Sequence, residues 1–381
     1  MTQTCTSCGF ANPPGGRFCA RCGKPLVRAC INCGAPLSPG VKFCGNCGAS
    51  QGVPTPAPVQ PDLPAAPPPP NQLALFRGHS GRVISIAVSP DARYALSGDD
   101  KGNLCLWDLL TGKLRSRLPG HKDAVLAAAF SPDARLALSA GGFIDGSIRV
   151  WDVDASREIV RLVGHTGGIT SALFSPDGSL VLSGGEDNTV RLWEVNCGFE
   201  LARLVGHTKP VLGVGFGPDG RRALSAANDM TMRIWDLEGD REVRRTWLDV
   251  AYQDLVYDVA FSRDGLFALS TDPEGIQLWD LASGVKLRTL SGHHGNILGV
   301  AFSPDGRQAL SCSGTDYYDD QLRQELGGID NTVRLWDVAS GQELARFSGH
   351  SGNVNCVAFV PDGRVLSGAS DTTVRLWSLP A

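Results

Sequence analysis

The sequence predicts an all-β fold made of seven copies of one unit, placed behind a cysteine-rich segment. Three observations predict it. A Trp closes a Leu/Val/Ile-rich run seven times, at Trp107, Trp151, Trp193, Trp235, Trp279, Trp336 and Trp377, mostly at intervals of about 42 residues. Six of these runs follow a Gly-His pair, ending at His79, His121, His165, His207, His293 and His350. Between pair and Trp lies Ser-Pro-Asp or a close variant, as in Phe174-Ser-Pro-Asp-Gly178. A fixed period in this range belongs to repeated supersecondary units that bury their apolar faces against one another.

Each unit reads as four short strands. In the third, 169–174 alternates apolar and polar residues, 175–178 is a turn, and 180–183 is a second strand. A tight turn over 184–188 leads to a third strand, 189–193, and a fourth follows at 200–204. Gly, Pro and Asp between the strands make this a meander sheet. Gly-His, Ser-Pro-Asp-Gly, Leu-Ser-Gly and Asp-Asn-Thr-Val-Arg-Leu-Trp recur in register over 72–380, and together they resemble the WD-repeat family, in the form found in bacteria. The resemblance implies a seven-bladed β-propeller around a central channel. It also implies a hydrogen-bonded set in each blade: His165, Ser183, Asp187 and Trp193 in one, His207, Ser225, Asp229 and Trp235 in the next. His350, Ser367, Asp371 and Trp377 form the last. The segment 73–77 is similar to 343–347, so the N-terminal strand, 72–77, is expected to complete the last blade and close the ring.

Some units depart from the pattern. Lys101 stands where blade one needs its turn Asp, and Ala251-Tyr252 replaces Gly-His in blade five, which also has a shortened turn at 272–275. Glu194 and Ser378 follow the Trp of blades three and seven. Blade six carries a 15-residue insertion within 312–329, including Tyr317, Tyr318, Asp319 and Asp320. Trp247 falls outside the pattern, in an extended connection.

The N-terminal cysteines form two quartets, Cys5, Cys8, Cys19, Cys22 and Cys30, Cys33, Cys44, Cys47, the second offset by 25 residues from the first. Cys-x-x-Cys wraps two sulfurs around one ion, and a Gly follows each pair to let backbone amides turn toward the thiolates. Four thiolates suit tetrahedral Zn2+ with no open position, so two structural ions are expected, one in 5–22 and one in 30–47. Modules this small depend on the metal for folding energy. The segment 5–48 resembles the double zinc ribbon. A finger that binds ubiquitin or RNA is a poorer match: Asn12 fits its spacing, but the Trp before the first Cys is missing and Leu37 replaces the second Asn.

The expected organisation is therefore a double zinc ribbon over 1–49, a Pro-rich linker over 50–71 and the propeller over 72–381. Nine prolines in the linker favour extended polyproline II, a spacer reaching about 60 Å at roughly 3.1 Å per residue. Residues 1–50 hold five basic residues and no acid, but two Zn(Cys)4 centres of formal charge −2 reduce +5 to +1. That argues against nucleic acid, which needs a basic footprint. The remainder has 30 basic and 39 acidic residues, and no run of 18 apolar residues occurs that could span a membrane. Paired cysteines without a signal peptide point to the cytoplasm.

Chemistry finds no residues. Six of seven histidines occupy the blade position and His294 simply follows one of them, leaving no general base; no phosphate loop or nucleophile elbow is present. The reading is a non-enzyme, a scaffold whose propeller binds a protein or peptide while the ribbons dock a second partner. The alternative is a nucleic-acid-associated regulator acting through the ribbons. Candidate contacts on the loops around the histidines are Arg82, Lys122, Lys209, His294, Asn296 and Asn353, joined by Tyr317, Tyr318, Asp319 and Asp320 of the insertion. Oligomeric state is left open.

Overall fold

The computed structural model describes residues 71–379 except 240, 248–255, 273 and 315–329, and, nearer the N-terminus, 3–4, 8, 10–12, 19–22, 28–29, 36–37 and 69. Ala251, Tyr252 and the insertion residues Tyr317 to Asp320 lie outside the described residues. The chain divides into two compact units, Met1–Pro67 and Pro68–Ala381.

The larger unit is a seven-bladed β-propeller. Seven four-stranded antiparallel sheets follow in chain order, each a meander. Blade three is representative, with strands Ile169–Phe174, Leu180–Gly185, Thr189–Glu194 and Glu200–Val205. The first strand of each blade touches the first strand of the next, and that of blade seven, Val354–Phe359, touches Val83–Val88 of blade one. First strands therefore line the channel. The seventh sheet is completed by Gln72–Arg77, which pairs with Thr373–Trp377, Phe76 opposite Val374. Asn71, at φ 72°, turns the chain into this strand, and its carbonyl accepts from Ser378 N.

The core is not one body. Seven apolar clusters fill the seven wedges between neighbouring blades. Between blades two and three, Leu138, Ile148, Val150 and Leu162 meet Ile169, Phe174, Val181 and Trp193. Between blades seven and one, Phe76, Leu366 and Val374 meet Val83, Ala95 and Trp107. Each second and third strand is covered on both faces, which explains their continuous buried runs. Every repeat Trp is almost fully buried in such a wedge, a burial that contributes roughly 2–3 kcal/mol each. Polar staples join adjacent first strands: Ser85 Oγ donates to Val125 O at 2.7 Å, and Val214 N donates to Ser171 Oγ at 3.2 Å.

The Ser-Pro-Asp turns join first to second strands. Ser175 Oγ donates to Asp177 at 2.5 Å, Gly178 N donates to Ser175 O, and Gly178 takes φ 77°. All these turns lie on one face of the ring, here the proline face. The Gly-His loops and the turns between second and third strands lie on the other, the histidine face.

Two readings of the sequence are corrected. Trp247 is no connection: it ends the fourth strand of blade four, Arg241–Trp247, opposite Thr231, because this strand runs one residue longer than most. Cys312 is not part of the insertion: it lies in the second strand of blade six, Gln308–Gly314, paired with Gly299.

The smaller unit repeats itself as well. Gln3–Thr4 pairs with Ala11–Asn12, and Arg28–Ala29 with Pro36–Leu37, each strand 25 residues after its counterpart, as the cysteines are.

Candidate functional site

Two places carry functional side chains, one in each unit. In the N-terminal unit the sulfurs of Cys8, Cys19 and Cys22 lie within 4.8 Å of one another, with Cys8 Sγ 3.5 Å from Cys19 Sγ. A tetrahedral ion with Zn–S bonds of about 2.3 Å sets its sulfurs about 3.8 Å apart, so this donor set fits zinc. Cys5 and the second quartet lie outside the described residues.

In the propeller the histidine face is built on one hydrogen-bonded relay per blade. In blade three, Trp193 Nε1 donates to Ser183 Oγ at 2.8 Å, the Ser183 hydroxyl donates to His165 Nε2 at 2.8 Å, and His165 Nδ1 donates to Asp187 at 2.9 Å. A carboxylate only accepts, which assigns the ring proton to Nδ1. The same relay holds Trp151, Ser139, His121 and Asp145 in blade two, and Trp235, Ser225, His207 and Asp229 in blade four. It recurs as Trp336, Ser311, His293, Asp330 and as Trp377, Ser367, His350, Asp371. Burial raises these carboxyls, but hydrogen bonds from the His, and from Thr189 or its equivalents, outweigh it and hold Asp187, Asp229, Asp330 and Asp371 far below the ordinary range. Burial lowers the imidazoles of His121, His293 and His350.

Blade one corrects the sequence reading. Lys101 occupies the expected Asp position, yet the relay is intact, because Asp99 at the end of the second strand takes its place. Its carboxylate accepts from His79 Nδ1 at 3.1 Å and from the backbone amides of Lys101 and Asn103. Blade five has a carboxylate at the equivalent place, Asp272. It bonds Gln277 Nε2 at 2.9 Å, while Trp279 still donates to Ser270.

Sequence reasoning missed a second buried layer. Arg149, Arg191, Arg233 and Arg334, each two residues before the Trp, are buried. Arg191 donates to Asp187 at 2.9 Å and to Glu200 at 2.7 Å, tying the turn to the outer strand. Blade one has Cys105 there, and Arg117 reaches across from the fourth strand to bond Gly78 O at 2.6 Å. The Arg that recurs two residues before the Trp in five of the seven blades was the signal for this layer.

The predicted contacts sit at the entry to five different first strands, so they surround the channel mouth without converging on one pocket. Arg82 is 55% exposed and pairs with Asp100 at 2.8 Å. Lys122, Lys209 and His294 are exposed. Asn296 donates to the Tyr257 hydroxyl at 3.1 Å, and Asn353 packs against Gly314, just before the insertion. On the same face is a feature not anticipated. Phe143 and Ile144, 72% and 76% exposed, lie on the turn of blade two, where Ser139 and Trp151 are 12 residues apart against 10 in blade three. Ile144 N donates to Asp123, which anchors the turn with both side chains outward.

Known families match both units. Residues 5–48 match the double zinc ribbon. Six segments, 70–108, 112–152, 156–194, 198–236, 284–337 and 341–378, match the WD domain, G-beta repeat.

The chain belongs to the WD-repeat family.

The unmatched stretch between 236 and 284 carries blade five, whose relay lacks the His. Among similar proteins, Protein tipD of Dictyostelium discoideum is 29% identical over 139 residues, 36% of this chain and 20% of tipD. Uncharacterized WD repeat-containing protein sll1491 of Synechocystis is 31% identical over 128 residues, 31% of this chain and 33% of that protein. Nuclear distribution protein PAC1 of Arthroderma otae is 34% identical over 129 residues, 32% of this chain and 26% of PAC1. The aligned stretches span a fifth to a third of these relatives. WD-repeat propellers are typically non-catalytic and generally bind proteins or peptides. The ribbon family implies zinc binding. No helix among the described residues is long and apolar enough to cross a membrane.

Proposed function

We propose that this WD-repeat protein is a non-catalytic, cytoplasmic scaffold that docks a protein or peptide on the histidine face of its propeller. The observation that carries the reading is the outward pair Phe143 and Ile144 on that face. Protein interfaces concentrate their energy in a few apolar anchors ringed by polar groups. Phe143 and Ile144 are the anchors, and Arg82, Lys122, Lys209, His294, Asn296 and Asn353 supply the polar ring. Tyr317, Tyr318, Asp319 and Asp320 extend it from blade six. In the same proposal the eight N-terminal cysteines hold two zinc ions, and the ribbon domain, 1–49, docks a second partner across the linker 50–71. The propeller is the domain 72–381.

The test is affinity capture with the full-length chain, after nuclease treatment, comparing wild type with F143D/I144D and with a C30S/C33S ribbon variant. Loss of a defined protein partner in F143D/I144D, at unchanged melting temperature, supports docking on the histidine face. Capture that survives F143D/I144D and disappears with nuclease and with C30S/C33S replaces this reading with a nucleic-acid-associated regulator.

A further inference from the structure

The opposite face holds a cavity of about 650 Å3 at the channel mouth, and it rests on none of the residues proposed to dock protein. Six of the seven blades contribute to its wall: Pro90, Pro132, Pro176, Pro218 and Pro304 at the turns, and Phe130, Phe174, Phe216 and Phe261 at the ends of first strands. The volume lies within the range of small-molecule sites. Blade four opens it further, with Gly217 where most turns begin with Ser.

Three charged side chains join the wall, Arg263, Asp264 and Asp305, giving it a net negative charge. In both acidic turns the hydrogen bonds made to the carboxylate reach one of its two oxygens. Asp264 Oδ1 accepts from Ser262 Oγ at 2.6 Å and Leu266 N at 3.0 Å, and Asp305 Oδ1 accepts from Ser303 Oγ at 2.6 Å and Arg307 N at 3.1 Å. Among the described residues no hydrogen bond reaches Oδ2 of either side chain. Aromatic faces carry negative quadrupole charge and attract cations in the same sense as the carboxylates. Arg263 stands where the other six blades have Pro and opposes a cation; it is exposed, as Asp264 and Asp305 are.

We infer that this cavity binds a small organic cation with an apolar body, its ammonium group between the Phe rings and the Oδ2 atoms of Asp264 and Asp305. The probe is benzyltrimethylammonium, titrated calorimetrically against the full chain, with neopentylbenzene as its neutral isostere. Saturable binding of one equivalent is expected, weakened by salt and far stronger than binding of the isostere. D264N/D305N keeps an amide oxygen for each turn and removes the charge, so it weakens the cation about fivefold without lowering the melting temperature. R263A shifts affinity the other way, tightening it. Equal binding of the neutral isostere, or affinities unmoved in both variants, overturns the inference. A trimethyllysine peptide that outcompetes the small cation by about a hundredfold overturns the small-ligand assignment in favour of a protein tail.

Discussion

Ser183 shows what a single atom holds in this molecule. Its hydroxyl accepts from Trp193 and donates to His165 in a site without solvent, so S183A leaves a buried indole N–H and a ring nitrogen unpaired. The expected loss is about 2–3 kcal/mol in urea unfolding, and a loss under about 0.5 kcal/mol contradicts the relay as a stabilising unit. Asp258 has the opposite character. Its carboxylate accepts from Val259 N and Val300 N, both at 2.9 Å, but burial dominates and pushes its pKa up from 3.8 to about 6. A carboxyl raised in the folded state contributes stability that is full below about pH 4 and is lost as pH rises through 6. The relay aspartates run the other way, stabilising above their unfolded pKa near 4 and failing only as pH falls well below it. D258N therefore removes a decline in melting temperature between pH 4 and 6. An unchanged slope across that window removes Asp258 as its source.

At the scale of elements, blade five stands apart. Its first strand, Val259–Phe261, has three residues where others have six or seven, and its relay lacks a His. Fewer ladder bonds and fewer locked side chains lower the free energy of local opening. Hydrogen exchange is expected to be faster in Phe267–Asp272 than in the equivalent strand of blade three, Leu180–Gly185. Equal protection would falsify the ranking of blades by relay content. The turn of blade two differs in kind: its extra residues leave the relay intact, since His121 still reaches Asp145 at 2.8 Å, and lengthen only what faces solvent.

For the whole molecule, the two units draw stability from different sources. The propeller buries seven wedges of apolar side chains, whereas modules as small as the ribbons are expected to draw their folding energy from thiolate coordination. Elemental analysis is expected to find two zinc ions per chain. A strong chelator is expected to remove both while leaving the main thermal transition unmoved; a transition that falls with chelation ties the propeller to the metal.

Repeat number, strand order and cysteine spacing were legible in the chain because they are local and periodic: Trp193 recurs as Trp235 whatever surrounds it. So were the relays of blades three, four and seven, whose members keep constant offsets. Tertiary structure alone decided the rest. It placed Asp99 in the role denied to Lys101, since two positions on one turn reach the same imidazole. It buried Arg191 between Asp187 and Glu200, turned Phe143 and Ile144 outward, and gathered Phe130, Phe174, Phe216 and Phe261 around one cavity. Those residues lie some 40 positions apart, and the packing of each blade's first strand on the next brings them around one axis. Periodicity is written along the chain, but a site at the axis exists only once every blade has met its neighbours.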